Sequence, residues 1–257
     1  MSNVKFGPLD VSLAMFVGRK KELEKLSELI DSPRSNIGVV YGRRRVGKSH
    51  LIKKSLENHK VLFFEGLEEG NKTAQLRNFL FQLSIQTGTP KRSCKTWSEA
   101  FYKLYEHIKD GGFHIVFDEF QWMANYKKGV VSELKMVWDQ YISQIEGTTL
   151  LLCGSIASFM VKKVIKSKAL YGRTSLTIHL KGFLLNEVAD FMPGKGLDEL
   201  FKAYMYVGGI PKYLEILSGA PSIELAIKEN AYTPNGYFVE EFERIFISHF
   251  GDNAEYQ

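Results

Sequence analysis

The sequence predicts an α/β protein: a five-stranded parallel sheet with helices on both faces, followed by a small all-helical subdomain. Three observations predict it. Short apolar runs rich in Val, Ile, Leu and Phe alternate with stretches of helical periodicity. A glycine-rich turn joins the first of these runs to the helical pattern behind it. After about Lys181 the strand-like runs stop, and short helical patterns broken by glycine and proline take over.

The elements follow in order. A helix is expected to open near Phe16-Val17-Gly18-Arg19, about 20 residues ahead of the first strand. Strands are predicted over residues 37–41, 61–65, 113–117, 148–153 and 175–180, each too short for a stable helix and too apolar for a surface strand. Helices are predicted over 49–58, 73–87, 97–109, 130–145 and 155–166. Those beyond the sheet are predicted over 186–191, 197–207, 211–218, 223–232 and 237–250, interrupted by Pro193, Gly208-Gly209, Pro221 and Pro234. The division falls at 1–182 for the α/β part and 183–257 for the helical part.

Composition narrows the function classes. With 257 residues, 44% of them hydrophobic and 25% charged, the chain belongs with globular proteins rather than disordered or fibrous ones. The formal net charge of +5 permits a phosphate or nucleic-acid partner without demanding one. Two cysteines, Cys94 and Cys153, are too few for a disulfide framework. The first residues lack the apolar core of a secretion signal, and no apolar run reaches membrane-spanning length. A cytoplasmic protein with no membrane partner is therefore expected.

The strongest chemical signal is Gly42-Arg43-Arg44-Arg45-Val46-Gly47-Lys48-Ser49, which satisfies G-x-x-x-x-G-K-[ST]. Its glycines let consecutive backbone N–H groups face a phosphate, and the helix behind it adds the positive end of its dipole. Lys48 would reach the β- and γ-phosphates, and the Ser49 hydroxyl would ligate Mg²⁺. The pattern arises by chance in roughly one chain of this length in a hundred, and a strand before it with a helix after it make chance rarer still. The adjoining His50 joins the candidate nucleotide-contacting set. Arg43, Arg44 and Arg45 read either as phosphate, subunit or polynucleotide contacts or as solvated arginines on an exposed turn.

The run His114–Asp118 ends in a carboxylate that is followed directly by Glu119. At the end of a parallel strand, Asp118 can orient a metal's hydration shell while Glu119, pointing elsewhere, acts as general base toward water. The strand over 148–153 leads to Ser155, read equally as a hydrogen-bonding group beside the γ-phosphate and as a helix N-cap. Arg173 precedes the last strand and reads as an arginine finger toward a neighbouring subunit or as an ordinary ion pair. Lys162, Lys163, Lys166 and Lys168 form a basic cluster, either a solvated face or a nucleic-acid contact.

In order along the chain, FVGRKKEL, YGRRRVGKS, VFDEF, LLLCGS, LYGR and GGIPKYL resemble the archaeal ATPase family, P-loop ATPases related to the AAA+ origin-recognition proteins and the STAND NTPases. The resemblance implies an ASCE-type sheet in the order 5-1-4-3-2 with a helical lid, ATP or ADP as ligand, and Mg²⁺. It implies that Val17, Gly18 and Arg19 border the adenine and that Gly209 and Pro211 approach it from the lid. It also makes Ser155 the sensor residue and Arg173 a candidate finger.

Family members usually continue into a winged-helix segment and a nuclease-like domain, whereas this sequence stops at Gln257. The predicted helix over 237–250 carries Phe238, Phe242, Ile245, Phe246 and Phe250 as one apolar stripe, for packing on the lid or for docking another domain or subunit. The leading expectation is a Mg²⁺-dependent ATPase acting as a conformational switch or motor. A nucleotide-gated scaffold with little turnover and a DNA-stimulated ATPase are the alternatives. A homo-oligomer or a separate effector are the partners such proteins would engage.

Overall fold

The computed structural model describes residues 16–68, 70–90, 93–124 and 129–241. Five parallel strands form one sheet: β1 (Asn36–Tyr41), β2 (Val61–Glu65), β3 (His114–Asp118), β4 (Thr149–Gly154) and β5 (Thr174–His179). Their order is β2-β3-β4-β1-β5, the expected order read from the opposite edge. The phosphate-loop strand β1 therefore lies beside β4, and β4 lies beside the acidic strand β3.

Alternation along the strands builds two apolar layers. Ile37, Val39, Ile115, Phe117, Leu150 and Leu152 face one side. Val40, Val116, Leu151 and Cys153 face the other. On the second side pack α1 (Lys20–Ile30) and α2 (Lys48–Ser55), through Leu26, Leu29, Leu51 and Ile52. On the first side lie α3 (Lys72–Thr87), α4 (Trp97–Ile108), the short α5 (Phe120–Ala124) and α6 (Gly129–Gln140). Phe64, Phe79, Trp97, Phe101 and Phe117 interlock there, with ring centroids 4.4–5.9 Å apart.

The edge strand β2 is closed by side chains. Three glutamines of α3 each make a two-way bond to an outward-facing peptide group. Gln86 pairs with Phe63 at 2.8 Å in both directions, Gln82 with Glu65 at 2.8 and 2.9 Å, and Gln75 with Leu67 at 3.0 and 2.5 Å. A primary amide has the same donor and acceptor pair as a peptide, so the helix substitutes for a sixth strand.

A third apolar cluster begins at Phe183. It is built by α8 (Leu185–Phe191), α9 (Leu197–Val207), α10 (Pro211–Ser218) and α11 (Ile223–Ala231). Residues 237–241 are again helical, and Tyr237 and Phe238 pack on this cluster. The rest of the expected stripe, Phe242 to Phe250, lies outside the described residues.

Three helices differ from expectation. The one expected to 58 stops at Ser55. That expected over 130–145 breaks after Gln140 and closes with a 3₁₀ turn, Ile142–Gln144. The segment after β4 is a single α-turn, Ala157–Phe159 (α7), running into π-helical turns over Met160–Ile165. Its buried side chains, Phe159, Met160 and Val164, pack on the core of the first side.

Candidate functional site

The loop between β1 and α2 has the form its sequence requires. Gly47 stands at φ 89° directly ahead of Lys48, and a Cβ there would meet no protein atom within 4 Å, so this face of the loop is clear. Lys48 is buried, and its Nζ donates to the Arg43 carbonyl at 3.1 Å, folding over the loop. Arg45 adopts a left-handed conformation, φ 70°. Such backbone in a non-glycine residue is uncommon and clusters at functional positions.

The ends of the neighbouring strands converge on this loop. The Ser49 hydroxyl donates to Asp118 Oδ2 at 2.5 Å, so the two residues expected beside a metal are in contact. Asp118 Oδ1 accepts the Glu119 amide at 2.9 Å. Glu119 then turns left-handed, φ 48°, which swings its carboxylate out of the strand direction. There it accepts the Ser155 hydroxyl at 2.7 Å. The N-cap reading of Ser155 is corrected: Ile156 holds the cap position, and the Ser155 side chain belongs to the acidic strand's end.

Sequence reasoning missed Gln121. Fully buried, it donates from Nε2 to Ser155 Oγ at 3.0 Å and to Glu119 Oε2, and it accepts the Ser155 amide at 3.3 Å. Its signal was one polar residue inside the apolar string Phe-Gln-Trp-Met-Ala. Glu65, in register with Asp118 across β2 and β3, was also missed. Partial desolvation raises its carboxyl pKa from the ordinary value, and the charges of Asp118 and Glu119 raise it further. Cys153 shares this end of the sheet; burial pushes its thiol well up, with the nearby Asp118 carboxylate adding to the effect.

A cavity of about 720 Å³ opens over Gly47, Lys48, Ser49 and His50 and extends to Glu65, Glu119, Gln82 and Trp122. Arg44 and Arg45 line it as well. Arg44 pairs with Glu68 at 2.6 Å. Arg45 turns to the helical cluster, where it pairs with Glu241 at 2.5 Å and bonds the Tyr237 hydroxyl. Glu241 also accepts the Tyr213 hydroxyl at 2.9 Å.

The residues expected at the base gather on the other side of the loop. Arg19, buried and left-handed at φ 59°, donates to the Val46 carbonyl at 3.2 Å and to the Lys181 carbonyl at 2.6 Å. Its guanidinium lies 4.6 Å from the Phe183 ring centroid, and its amide donates to Glu187 Oε1 at 2.7 Å. Glu187 was not anticipated; its other oxygen accepts the Leu184 amide at 2.8 Å at the start of α8. Gly209, φ 72°, lets its carbonyl accept the Phe183 amide at 2.7 Å, where a Cβ would sit 2.3 Å from the Phe183 carbonyl oxygen. Pro211 follows at the first turn of α10. Val17 and Gly18 precede Arg19, and Gly18 packs on Glu187 so tightly that an added Cβ would lie 2.5 Å from its carboxylate.

Arg173 stands apart from this assembly. It makes a two-pronged pair with Asp139 of α6, at 2.6 and 2.8 Å, and a bond to the Tyr171 carbonyl. That pairing holds the Asp139 carboxylate below its usual range.

A phosphate loop, an acidic strand end and a polar strand end meeting on one parallel sheet define a P-loop nucleotide-binding fold. The comparisons with known proteins agree. The profile described as an ATPase domain predominantly from Archaea matches residues 16–217, and the chain belongs to that family. A Methanocaldococcus jannaschii protein, named only as uncharacterized protein MJECL04, is 32% identical over 202 residues, 78% of this chain and 44% of that protein. The chain thus spans less than half of that relative's length. The Walker-type ATPase PABY2304 of Pyrococcus abyssi superposes with a TM-score of 0.65 at 19% identity, over 90% of this chain and 75% of that one. The Aeropyrum pernix ORC1 protein, solved in complex with DNA, superposes at 0.61 and 14% identity, over 91% and 67%. Both structures share the fold. Among the described residues, no helix is long and apolar enough to cross a membrane.

Proposed function

We propose that the chain binds ATP with Mg²⁺ in the cytoplasm, hydrolyses it, and passes the change to the helical part as a switch. The observation that carries this reading is the contact of Ser49 with Asp118 at 2.5 Å, with Glu119 turned aside to Ser155 on the same cavity. Family membership supports ATPase chemistry in general.

The donor set fits magnesium, a hard cation that takes one or two protein oxygens and otherwise phosphate and water. Ser49 and Asp118 would hold it, and when bound it would neutralise charge on the phosphate oxygens. Lys48 leaves the Arg43 carbonyl to meet the β- and γ-phosphates. Glu119 accepts a proton from water as the water oxygen bonds to the γ-phosphorus. The bond from that phosphorus to the bridging oxygen breaks, releasing ADP and inorganic phosphate. The backbone of Gly42–Ser49 and the neighbouring His50 surround the phosphates. Val17, Gly18, Arg19 and Pro211 border the base.

The division at 1–182 and 183–257 makes the helical part a lid. Arg19 ties the phosphate loop to the hinge at Lys181 and Phe183, so a loop displaced by phosphate would move the lid. Arg173 would act on a neighbouring subunit's nucleotide only after leaving Asp139. Lys48→Ala is expected to weaken ATP binding at least roughly 100-fold, and Glu119→Gln to keep binding while turnover falls by about the same factor. Wild-type hydrolysis by Lys48→Ala refutes the assignment. Single-turnover measurements without hydrolysis, alongside an ATP-dependent change in oligomer size, would favour a nucleotide-gated scaffold instead.

One observation favours a second partner. Lys162, Lys163, Lys166 and Lys168 are all exposed on and beside the π-helical turns. A nucleic-acid backbone is the polyanion such a patch would meet, and binding to it should weaken steeply with salt. Salt-insensitive binding of duplex DNA, or none, removes this reading.

A further inference from the structure

In the triangle of Glu119, Ser155 and Gln121, Glu119 is the base and Ser155 the expected sensor, while Gln121 has no role in the hydrolysis described above. Gln121 is fully buried, so its amide has no water to turn to and its hydrogen bonds must be met inside the protein. Its Nε2 bridges the ends of β3 and β4, and its Oε1 serves the end of β4. Nε2 donates to Glu119 Oε2 and, at 3.0 Å, to Ser155 Oγ, while Oε1 accepts the Ser155 backbone amide at 3.3 Å. The Ser155 hydroxyl completes the ring by donating to the same Glu119 oxygen at 2.7 Å. Around this ring the end of β4 is packed closely: a Cβ on Gly154 would lie 2.6 Å from Gln121 Oε1 and 2.5 Å from Met160 Sδ. Turning the amide over would set its oxygen against Glu119 Oε2 and its donor against the Ser155 N–H.

We infer that Gln121 is the positioning residue for the general base: it pins Glu119 Oε2 so that Oε1 is the oxygen presented to water, and it links that orientation to Ser155. This rests on Glu119 being the base. The chemistry follows from counting donors. Two donors occupy Oε2, which leaves Oε1 to face water. When the Ser155 hydroxyl turns to a γ-phosphate oxygen, Glu119 loses one of its donors and keeps the other. Gln121 then holds the carboxylate alone, so Oε1 keeps its aim at water while Ser155 serves the phosphate.

The test compares Gln121→Leu and Gln121→Glu with the parent and with Glu119→Gln, by steady-state ATP hydrolysis, equilibrium ATP binding and urea unfolding. Leucine keeps the volume and removes both polar ends. Glutamate keeps the shape and the acceptor toward the Ser155 amide, but sets an oxygen against Glu119 where a donor stood. Both variants are expected to bind ATP within about threefold of the parent while kcat falls roughly 10- to 100-fold, with the larger loss in Gln121→Glu. In both variants the loss is expected in kcat, with KM near the parent's. A purely structural glutamine would lower the urea midpoint without splitting kcat from KM.

Parental kcat in Gln121→Leu, with turnover lost in Glu119→Gln, overturns the proposal and leaves the base assignment standing. A rise in KM at constant kcat overturns it too. Full activity in Glu119→Gln removes the base itself, a different failure. If Gln121→Leu does not fold, the kcat and binding of the isosteric Gln121→Glu decide alone.

Discussion

The clasp between Arg45 and Glu241 offers a measurable link between the phosphate loop and the far end of the helical part. Glu241 is only 5% exposed at its side chain and Arg45 27%, with 2.5 Å between Arg45 Nη2 and Glu241 Oε2. Two unit charges about 4 Å apart attract by about 4 kcal/mol at an effective dielectric of 20. Desolvation of the buried carboxylate offsets part of that, leaving a coupling of about 2 kcal/mol. Arg45→Ala, Glu241→Ala and the double variant close a cycle whose mixed term isolates the pair. Each single change also removes a second contact, Arg45 with Tyr237 and Glu241 with Tyr213, and the cycle cancels both. Urea unfolding of the four proteins is the assay. We expect each single variant to lose about 2–4 kcal/mol and the double variant to lose clearly less than the sum. Because the pair is partly buried, the mixed term should persist in 0.5 M salt. A mixed term under about 0.5 kcal/mol refutes the reasoning and reduces the clasp to two independent surface contacts.

Three further outcomes follow from the geometry. Burial lowers the pKa of His114 to about 4, with the neighbouring His59 lowering it too and Asp31 opposing. Its folded pKa lies below the unfolded value, so the stability tied to its neutral form is full above pH ~6.5 and is lost as pH falls toward 4. The loss should amount to about 2–3 kcal/mol in urea titrations at stepped pH, and His114→Leu should flatten it. Gly47→Ala should fold with a penalty of about 1 kcal/mol for the positive φ, yet lose ATP affinity in equilibrium binding, because its Cβ would stand on the clear side of the loop. Gln82→Ala should speed amide exchange at Glu65 by about tenfold or more and cost about 1 kcal/mol, since it uncovers the Glu65 N–H, while the Glu65 carbonyl keeps the Asn78 amide at 2.7 Å. An unchanged exchange rate would show that water already competes there.

Much of the fold was legible because its cause is local. Strands β3 and β4 are short apolar runs buried throughout, which is why they read without alternation, whereas β5 (TSLTIH) is a largely exposed edge strand and not the doubly buried run expected of it. The phosphate loop was legible because glycine, lysine and serine have few other reasons to stand at that spacing. Gln121 and Glu187 were not, because their roles depend on residues 34 and 168 positions away. A buried glutamine in the sequence looks like any other polar residue. Arg45 and Arg44 looked alike in their run, and only the folded chain sends one to Glu68 and the other to Glu241. The π-helical turns after β4 were not legible either.

The three glutamines along α3 have a consequence for how copies of this protein can meet. A sheet normally offers two edges, and a chain with two can be extended at both without limit. With β2 sealed, β5 is the remaining outer strand, and among the described residues no strand pairs with its far side. Among the described residues, backbone pairing between molecules then has the β5 edge to use, and a pair joined β5 to β5 leaves on its outside only edges whose peptide groups the amides of Gln75, Gln82 and Gln86 occupy.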